Sequence, residues 1–473
     1  MSDLLKALHD LPAGVRETLD LLARLDDCFV VGFSRLGEAQ AQALAALARV
    51  TAGSPLGPAV ADAVAAIERA EFLDKHLAAI ACARAALHGS MHDALLAQAA
   101  AALGRSVSEV AATADPAAPA PPPHHAVFLE SSRKFLVRLA LSGFAQMEME
   151  SLVQFYLTLD KIQAEPALIR QAAILSGFLG ELVQAMPIDA KAALPVYRWV
   201  DLWTRAMVLS VKPLPPPPVE RVSGELRLLG CDVRHHPGLV SVCGYGLLTR
   251  SGAAPQLVRT TVSAYKVDVV HGPEMWRMFD GTADRLMGAL RNRLTLKIDG
   301  MALWPSGDLL WEDGRASHGA SYSPIELGLT ALGPGKELTR ASVLAAERHP
   351  VLLAEPVALA GYTVKKGGAP AKKNASAAEL LDDLSIELGG STLSLAGTRL
   401  SAAAGLSRES IEKSQQLVGL LRFDRGRWGL QPLAVSVGKN VEMAGTPPAV
   451  IKSKDDTVSV LRERASKLLR GKR

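Results

Sequence analysis

Cysteine is scarce in this sequence. Its 473 residues include four cysteines, spread over the chain at Cys28, Cys82, Cys231 and Cys243. So few cannot form the dense disulfide framework of a small secreted domain, and a reducing compartment is the simpler interpretation. Asparagine is rarer still, with three residues in a chain rich in Ala, Leu and Arg, which is a bias typical of GC-rich bacterial genomes. We therefore expect a bacterial cytoplasmic protein.

Long uncharged apolar runs are also missing. The most apolar helical stretch, residues 166–186, contains Arg170 and Glu181, which a lipid-exposed span would have to desolvate. The first ten residues, MSDLLKALHD, have neither the basic start nor the apolar core of a secretory signal. The sequence predicts no transmembrane segment.

No catalytic or cofactor signature is complete. The segment Gly244-Tyr245-Gly246 lacks the third glycine of a dinucleotide loop. Gly333-Pro334-Gly335-Lys336 lacks both the leading glycine and the following Ser or Thr of a phosphate-binding loop. We expect no bound cofactor.

Two sets of residues have partial metal-ligand character. His88 and His92 lie four residues apart, as zinc ligands on a helix do, but Gly89 between them favours a helix-to-helix turn. The second set is Cys231, His235 and Cys243, which a hairpin turning at residues 236–238 could bring together. Neither spacing matches a closed zinc pattern, so we expect no metal and keep both sets as candidates.

The spacing of hydrophobic residues changes once along the chain. Apolar residues recur at three- and four-residue spacing in the first two-fifths and alternate with polar ones later, as in Leu294, Leu296 and Ile298. The predicted fold class is α+β multidomain, with N-terminal all-α helical bundles, an antiparallel β-rich region and a mixed α/β C-terminal segment. The predicted divisions are a helical domain (1–113), a Pro-rich linker (114–125), a second helical domain (126–212), a polyproline linker (213–218), a β-rich domain (219–364), a Lys/Gly linker (365–376) and the mixed segment (377–473).

Glycine-containing pairs and triplets predict three hairpin turns in the β-rich half. These are Asp299-Gly300, Ser306 to Asp308, and Asp424 to Gly426. Each offers a glycine where a tight turn needs a positive φ.

The C-terminus is basic and amphipathic. Residues 448–473 hold eight Lys or Arg and three Asp or Glu, and a predicted helix aligns Val458, Leu461, Ala465 and Leu468 in one stripe. This segment could bind an acidic protein partner, nucleic acid or an anionic membrane surface. The candidate partner- or anion-binding residues are Lys452, Lys454, Arg462, Arg464, Lys467 and Arg470.

Three hypotheses for function follow. The favoured one is a non-enzymatic scaffold or adaptor subunit of a bacterial multi-protein assembly, with modules held apart by stiff spacers and other protein subunits as partners. The second is an enzyme of unrecognised family that uses Cys243, His235, His236 and His318 of the β-rich domain. The third is a nucleic-acid-binding protein that uses the basic C-terminal helix.

Overall fold

Helices occupy the first half of the chain and antiparallel sheets follow, which confirms the predicted α+β class. The computed structural model describes residues 2–105, 122–186, 195–211, 218–236, 239–266, 272–367, 383–396 and 405–445. The predicted basic helix lies outside these residues, as does most of each predicted linker. The division into domains therefore stays a prediction.

The helical half contains nine α-helices within the described residues. Their bounds are α1 Ser2–Ala7, α2 Val15–Val31, α3 Glu38–Thr51, α4 Gly57–Glu68, α5 Asp74–Ala102, α6 Pro123–Ser142, α7 Met149–Gln163, α8 Ile169–Gln184 and α9 Val196–Val211. Helix α6 begins inside the predicted linker. Pro123 is tolerated there because the first turn of a helix needs no backbone donor.

The helical half is an internal repeat. Helices α2 to α5 and α6 to α9 follow the same order, and in both sets a Gly-Phe pair leads into a short 3-10 helix after the first long helix, at Phe33–Arg35 and Phe144–Gln146. Gly32 and Gly143 are 143 minus 32, or 111, residues apart. The same offset takes the start of α3, Glu38, to the start of α7, Met149. The two helical blocks are thus two copies of one four-helix arrangement.

Thirteen strands form three antiparallel sheets in the described part of the β-rich half. The first sheet has the order β3-β2-β1-β4-β5, with β6 also paired to β4; the second has β10-β9-β8; the third has β13-β12-β11-β7. The strands are β1 Glu220–His236, β2 Leu239–Thr249, β3 Gln256–Tyr265, β4 Leu294–Leu303, β5 Leu309–Leu310, β6 Ala316–Ser321, β7 Glu355–Ala360, β8 Thr363–Lys366, β9 Leu384–Leu388, β10 Ser391–Ser394, β11 Gln416–Asp424, β12 Arg427–Val437 and β13 Asn440–Met443. Short helices α10 (Asp284–Asn292), α11 (Pro324–Ala331) and α12 (Arg408–Glu412) interrupt them.

Two of the three predicted hairpin turns are confirmed. Residues 306–308 connect β4 to β5, and Arg425 and Gly426, both with positive φ, connect β11 to β12. The prediction at Asp299-Gly300 is wrong, because both residues lie within β4, where they face the single residue Ser223 as a β-bulge. The positive φ of Gly300, 62°, serves the bulge, and its N–H donates to Ser223 Oγ at 2.9 Å.

The third sheet is the central layer of the molecule. Its Leu417 and Leu421 join the core of both helical blocks, whereas Val418 and Leu420 join the core beneath the first sheet. Trp428 of β12 also donates from Nε1 to Gln98 Oε1 of α5 at 2.9 Å. Both helical blocks and the third sheet therefore share one hydrophobic core.

One helical stretch in the described residues, Pro166–Gln184, is long and apolar enough to cross a membrane by length and composition. One face of this stretch, with Leu175, Phe178 and Leu182, packs into the helical core. Packing within the chain buries 39% of this stretch.

Candidate functional site

Helix α5 carries the first predicted histidine pair. The helix continues without a break from Asp74 to Ala102, so the predicted turn at Gly89 is wrong. A β-carbon on Gly89 would lie 3.7 Å from the carbonyl oxygen of Ala345, which is an ordinary contact distance, so a segment of the β-rich half packs beside the helix at this point.

His88 belongs to a buried cluster with Asp201 of α9 and His349. One potential ligand atom from each residue lies within 4.8 Å of the others, and the rings of His88 and His349 stack at 4.1 Å. His92 does not belong to this group, since its Nδ1 contacts Asp93 Oδ1 at 3.0 Å. The structure therefore pairs His88 with two residues distant in the sequence.

Two arginines and a second carboxylate surround this cluster. Arg84 forms a bidentate pair with Asp26, at 2.9 and 3.1 Å, and its Nη1 lies 3.6 Å from Asp201. Arg205 contacts the other oxygen of Asp201 at 3.1 Å. Two cations thus balance two anions without an added ion.

The pKa shifts reflect these contacts. Burial alone would raise the pKa of Asp201, but His349, Arg205 and Arg84 outweigh it and lower the pKa below the ordinary value. Burial, with Arg84 and His349 nearby, holds the pKa of His88 well below its usual value. His88 is therefore neutral at pH 7, and neither of its ring nitrogens has a hydrogen-bond partner.

The donor set of this cluster does not fit a metal ion. His349 Nδ1 accepts a hydrogen bond from the backbone N–H of Val351 at 3.1 Å, which places the ring proton of neutral His349 on Nε2. That nitrogen lies 3.2 Å from Asp201 Oδ1 without the geometry of a hydrogen bond, and it would have to lose its proton to bind a metal. The cluster is better described as a buried ionic network that joins α2, α5, α9 and the segment before β7.

A second histidine group lies at the start of α6. Nε2 of His125 and of His124 are 3.1 and 3.9 Å from the same oxygen of Glu165. His124 is largely exposed, so this is a surface contact between α6 and the α7–α8 connection.

The second predicted metal set is not brought together. In the β1–β2 pairing, Cys231 lies opposite Gly244 and Cys243 opposite Asp232. Directly paired residues share a face and successive residues alternate, so the two cysteines lie on opposite faces of the sheet. His235 pairs with Val240 further along the hairpin.

The polar residues of the enzyme hypothesis are also separated. His318 lies on β6, and strands β1 and β4 stand between β6 and the β2 strand of Cys243. Its Nε2 contacts the carbonyl oxygen of Arg285 at 2.8 Å.

The most distinctive surface of the described chain lies on α7. Met149, Val153, Tyr156 and Leu157 are 38%, 53%, 37% and 73% exposed, and their spacing aligns them along one stripe of the helix. We call these four residues the α7 surface. The opposite face of α7 buries Leu152, Phe155, Leu159 and Ile162. This helix is therefore apolar on its solvent side as well as on its core side.

The internal repeat supplies a comparison within the chain. The offset of 111 residues relates the α7 surface to Glu38, Gln42, Ala45 and Ala46 of α3. Helix α3 thus has polar and small residues at the positions where α7 has large apolar ones. The repeated helical arrangement does not by itself require large exposed apolar residues at these positions of α7.

Carboxylates border the α7 surface. Glu150 lies beside the stripe and Asp160 continues it at its C-terminal end; both are exposed. Neither forms an ion pair with any described residue. Lys161, one turn after Leu157, is exposed at the same edge, so the surface is apolar along its length and is bordered by two carboxylates and one lysine.

The amino-acid composition of α7 contains a signal for this surface that periodicity alone did not reveal. The segment MESLVQFYLTLDKIQ has apolar residues on more than one face of a helix, which a helix with a single buried stripe does not need. The predicted binding residues Lys452, Lys454, Arg462, Arg464, Lys467 and Arg470 lie outside the described residues.

Comparisons with protein-family models, with curated proteins and with solved structures find no significant match to this chain.

Proposed function

We propose that this protein is a non-enzymatic scaffold or adaptor subunit of a bacterial multi-protein assembly in the cytoplasm, and that its α7 surface binds a helix of a partner subunit. The observation that carries the proposal is the exposure of Val153 and Leu157, at 53% and 73%, in one apolar stripe. Contiguous exposed apolar residues on a folded chain are typical of protein–protein contact sites.

The spacing of the stripe suits a helical partner. One face of a helix presents residues at i, i+3, i+4, i+7 and i+8 to a partner helix, and Met149, Val153, Tyr156 and Leu157 occupy the i, i+4, i+7 and i+8 positions. Full burial of a leucine or valine side chain contributes roughly 1.5 to 3 kcal/mol. The aromatic ring of Tyr156 adds a residue type that often anchors interfaces.

Charge defines the chemistry of the partner. Glu150 and Asp160 form no ion pair with a described residue and outnumber the one lysine at this edge, Lys161, so Lys or Arg beside the partner's apolar stripe would complement them. The proposed partner presents a basic amphipathic helix.

The shared core changes how a scaffold role would operate. Both helical blocks pack around one core with the third sheet, so the first linker does not hold the two blocks apart. Partners would instead be bound on surfaces of one rigid helical body. The four free cysteines support a reducing compartment.

Site-specific photo-crosslinking in the native cell tests this proposal. A photo-reactive amino acid replaces Val153 in the full-length chain, and the control replaces Gln42, the exposed residue at the equivalent position of α3. We expect crosslinks from position 153 to map to a segment of another protein with an apolar stripe bordered by Lys or Arg, at least tenfold above those from position 42. Equal yields at the two positions, or no crosslink to another protein from position 153, would overturn the proposal.

A further inference from the structure

We infer that the chain's own C-terminal segment, residues 448–473, occupies the α7 surface until a partner helix displaces it. The inference rests on the proposed function, because both concern the same surface. It adds an occupant within the chain and a means of regulation.

The segment has the composition that the α7 surface requires of a partner. Residues 448–473 hold eight Lys or Arg against three Asp or Glu, and the sequence predicts a helix with Val458, Leu461, Ala465 and Leu468 in one stripe. Arg464 and Lys467 lie off that stripe. An apolar stripe bordered by cations would thus meet an apolar stripe bordered by Glu150 and Asp160.

The residues between Gly445 and the predicted stripe can act as a tether. Twelve residues, 446–457, separate Gly445 from the first residue of the predicted stripe. Extended at ~3.3 Å per residue, they reach about 40 Å. The strand before Gly445, β13, pairs with β12, and Trp428 of β12 contacts helix α5 directly. The chain therefore leaves the described part from a sheet that packs on the helical half.

A tethered segment has an advantage over a free one. A short flexible tether gives an effective concentration on the order of millimolar, so even a weak helix contact is populated within one chain. A partner helix must then compete with the tethered segment for the α7 surface. Only partners with a high affinity for this surface would displace the segment. Salt should weaken the contact because it screens the exposed charges on both sides.

Photo-crosslinking of the purified full-length chain tests the inference. With the photo-reactive residue at position 153, we expect an intramolecular crosslink to residues 452–473, and with the same residue at position 42 we expect none. The triple variant R462E/R464E/K467E should reduce the crosslink from position 153 at least tenfold. A crosslink that joins only two separate chains, an unchanged yield in the triple variant, or no crosslink to this segment would overturn the inference.

A binding measurement supplies the second test. The probe is a synthetic peptide of residues 448–473, and the receptor is the full-length triple variant, whose own segment is weakened. We expect binding that declines with salt and that Leu157→Asp weakens at least tenfold, whereas Gln42→Asp leaves it unchanged. No binding of the peptide, together with a crosslink to a partner in the cell, would reject the inference and retain the proposed function. An intramolecular crosslink without any partner in the cell would reject the proposed function and retain the C-terminal segment as an occupant of the α7 surface.

Discussion

Gly32 and Gly143 face each other where the first long helices of the two repeats end. Both have positive φ, 91° and 84°. A side chain on Gly143 would come within 2.5 Å of the backbone nitrogen of Gly32, and one on Gly32 within 2.5 Å of the carbonyl oxygen of Leu141. The contact thus requires glycine in both copies, for conformation and for space, and it joins the two halves of the helical core.

We predict that Gly143→Ala lowers the free energy of unfolding by more than about 2 kcal/mol. A positive φ in a non-glycine residue alone costs roughly 1 to 3 kcal/mol, and the added methyl group would also meet backbone atoms. Gly177→Ala in helix α8 is the matched control, because nothing lies within 4 Å of its added carbon and alanine favours a helix. Chemical denaturation of both variants checks this, and equal stabilities would contradict the close approach.

The Asp26–Arg84 pair yields a prediction about the buried network. Asp26→Asn removes a charge from a bidentate pair in which both side chains are almost fully buried. Breaking such a pair costs about 3 to 5 kcal/mol, because it leaves a buried cation incompletely compensated. Asp62→Asn, which breaks an exposed pair with Lys75, should cause no measurable change in the same denaturation experiment. If Asp26→Asn lowers the free energy of unfolding no more than Asp62→Asn does, the network is open to water.

Stability should fall as the pH drops below about 6.5. The folded-state pKa values of His88 and His92 are lowered, chiefly by burial, so between each lowered pKa and 6.5 the unfolded chain binds more protons. Each histidine then removes at most about 1.4 kcal/mol per pH unit. His88→Phe should flatten the dependence between pH 7 and pH 5, measured against the exposed His9→Phe. An unchanged slope in His88→Phe would contradict the buried, neutral state of His88.

Metal analysis separates the ionic network from a metal site. Because His349 Nε2 carries a proton in the observed arrangement, we predict no stoichiometric zinc in the purified protein and no change in Tm with a chelator. Zinc at one equivalent per chain that is lost in His88→Ala and His349→Ala would show that the network rearranges to bind it.

Neighbouring residues on the two faces of α7 should respond differently to truncation. Phe155 is 5% exposed and stacks on Phe135 at 4.1 Å, so Phe155→Ala should cost about 3 to 5 kcal/mol. Leu157→Ala should change the unfolding free energy by less than about 0.5 kcal/mol, because Leu157 is exposed. A large loss for Leu157→Ala in chemical denaturation would show that this side chain supports the fold instead of an interface.

Local features of the fold could be predicted from sequence where one structure alone suits the residues. Arg425 and Gly426 form the predicted turn, since both adopt a positive φ between the paired strands β11 and β12. Asp299 and Gly300 do not form the predicted turn, because a β-bulge accommodates the positive φ of a glycine as well as a turn does. Sequence patterns fix the need for a positive φ but not the element that uses it.

The repeat and the ionic network could not be predicted from local patterns. Equivalent positions of the two repeats are often both buried although their residue types differ. His88 is equivalent to Trp199, and Val60 is equivalent to Gln171. Asp201 and His349 reach His88 through tertiary packing, so no spacing along the chain reveals them. The α7 surface differs, since its excess of apolar residues is visible in the sequence once a helix is assumed.

The size of the complex that the protein forms in extracts of its native cell shows whether the α7 surface is an interface. We predict that the full-length chain migrates in a complex larger than one chain, that Leu157→Asp shifts it to the size of a single chain, and that Gln42→Asp leaves the complex intact. A complex of unchanged size in Leu157→Asp would contradict the assignment of the α7 surface as the interface.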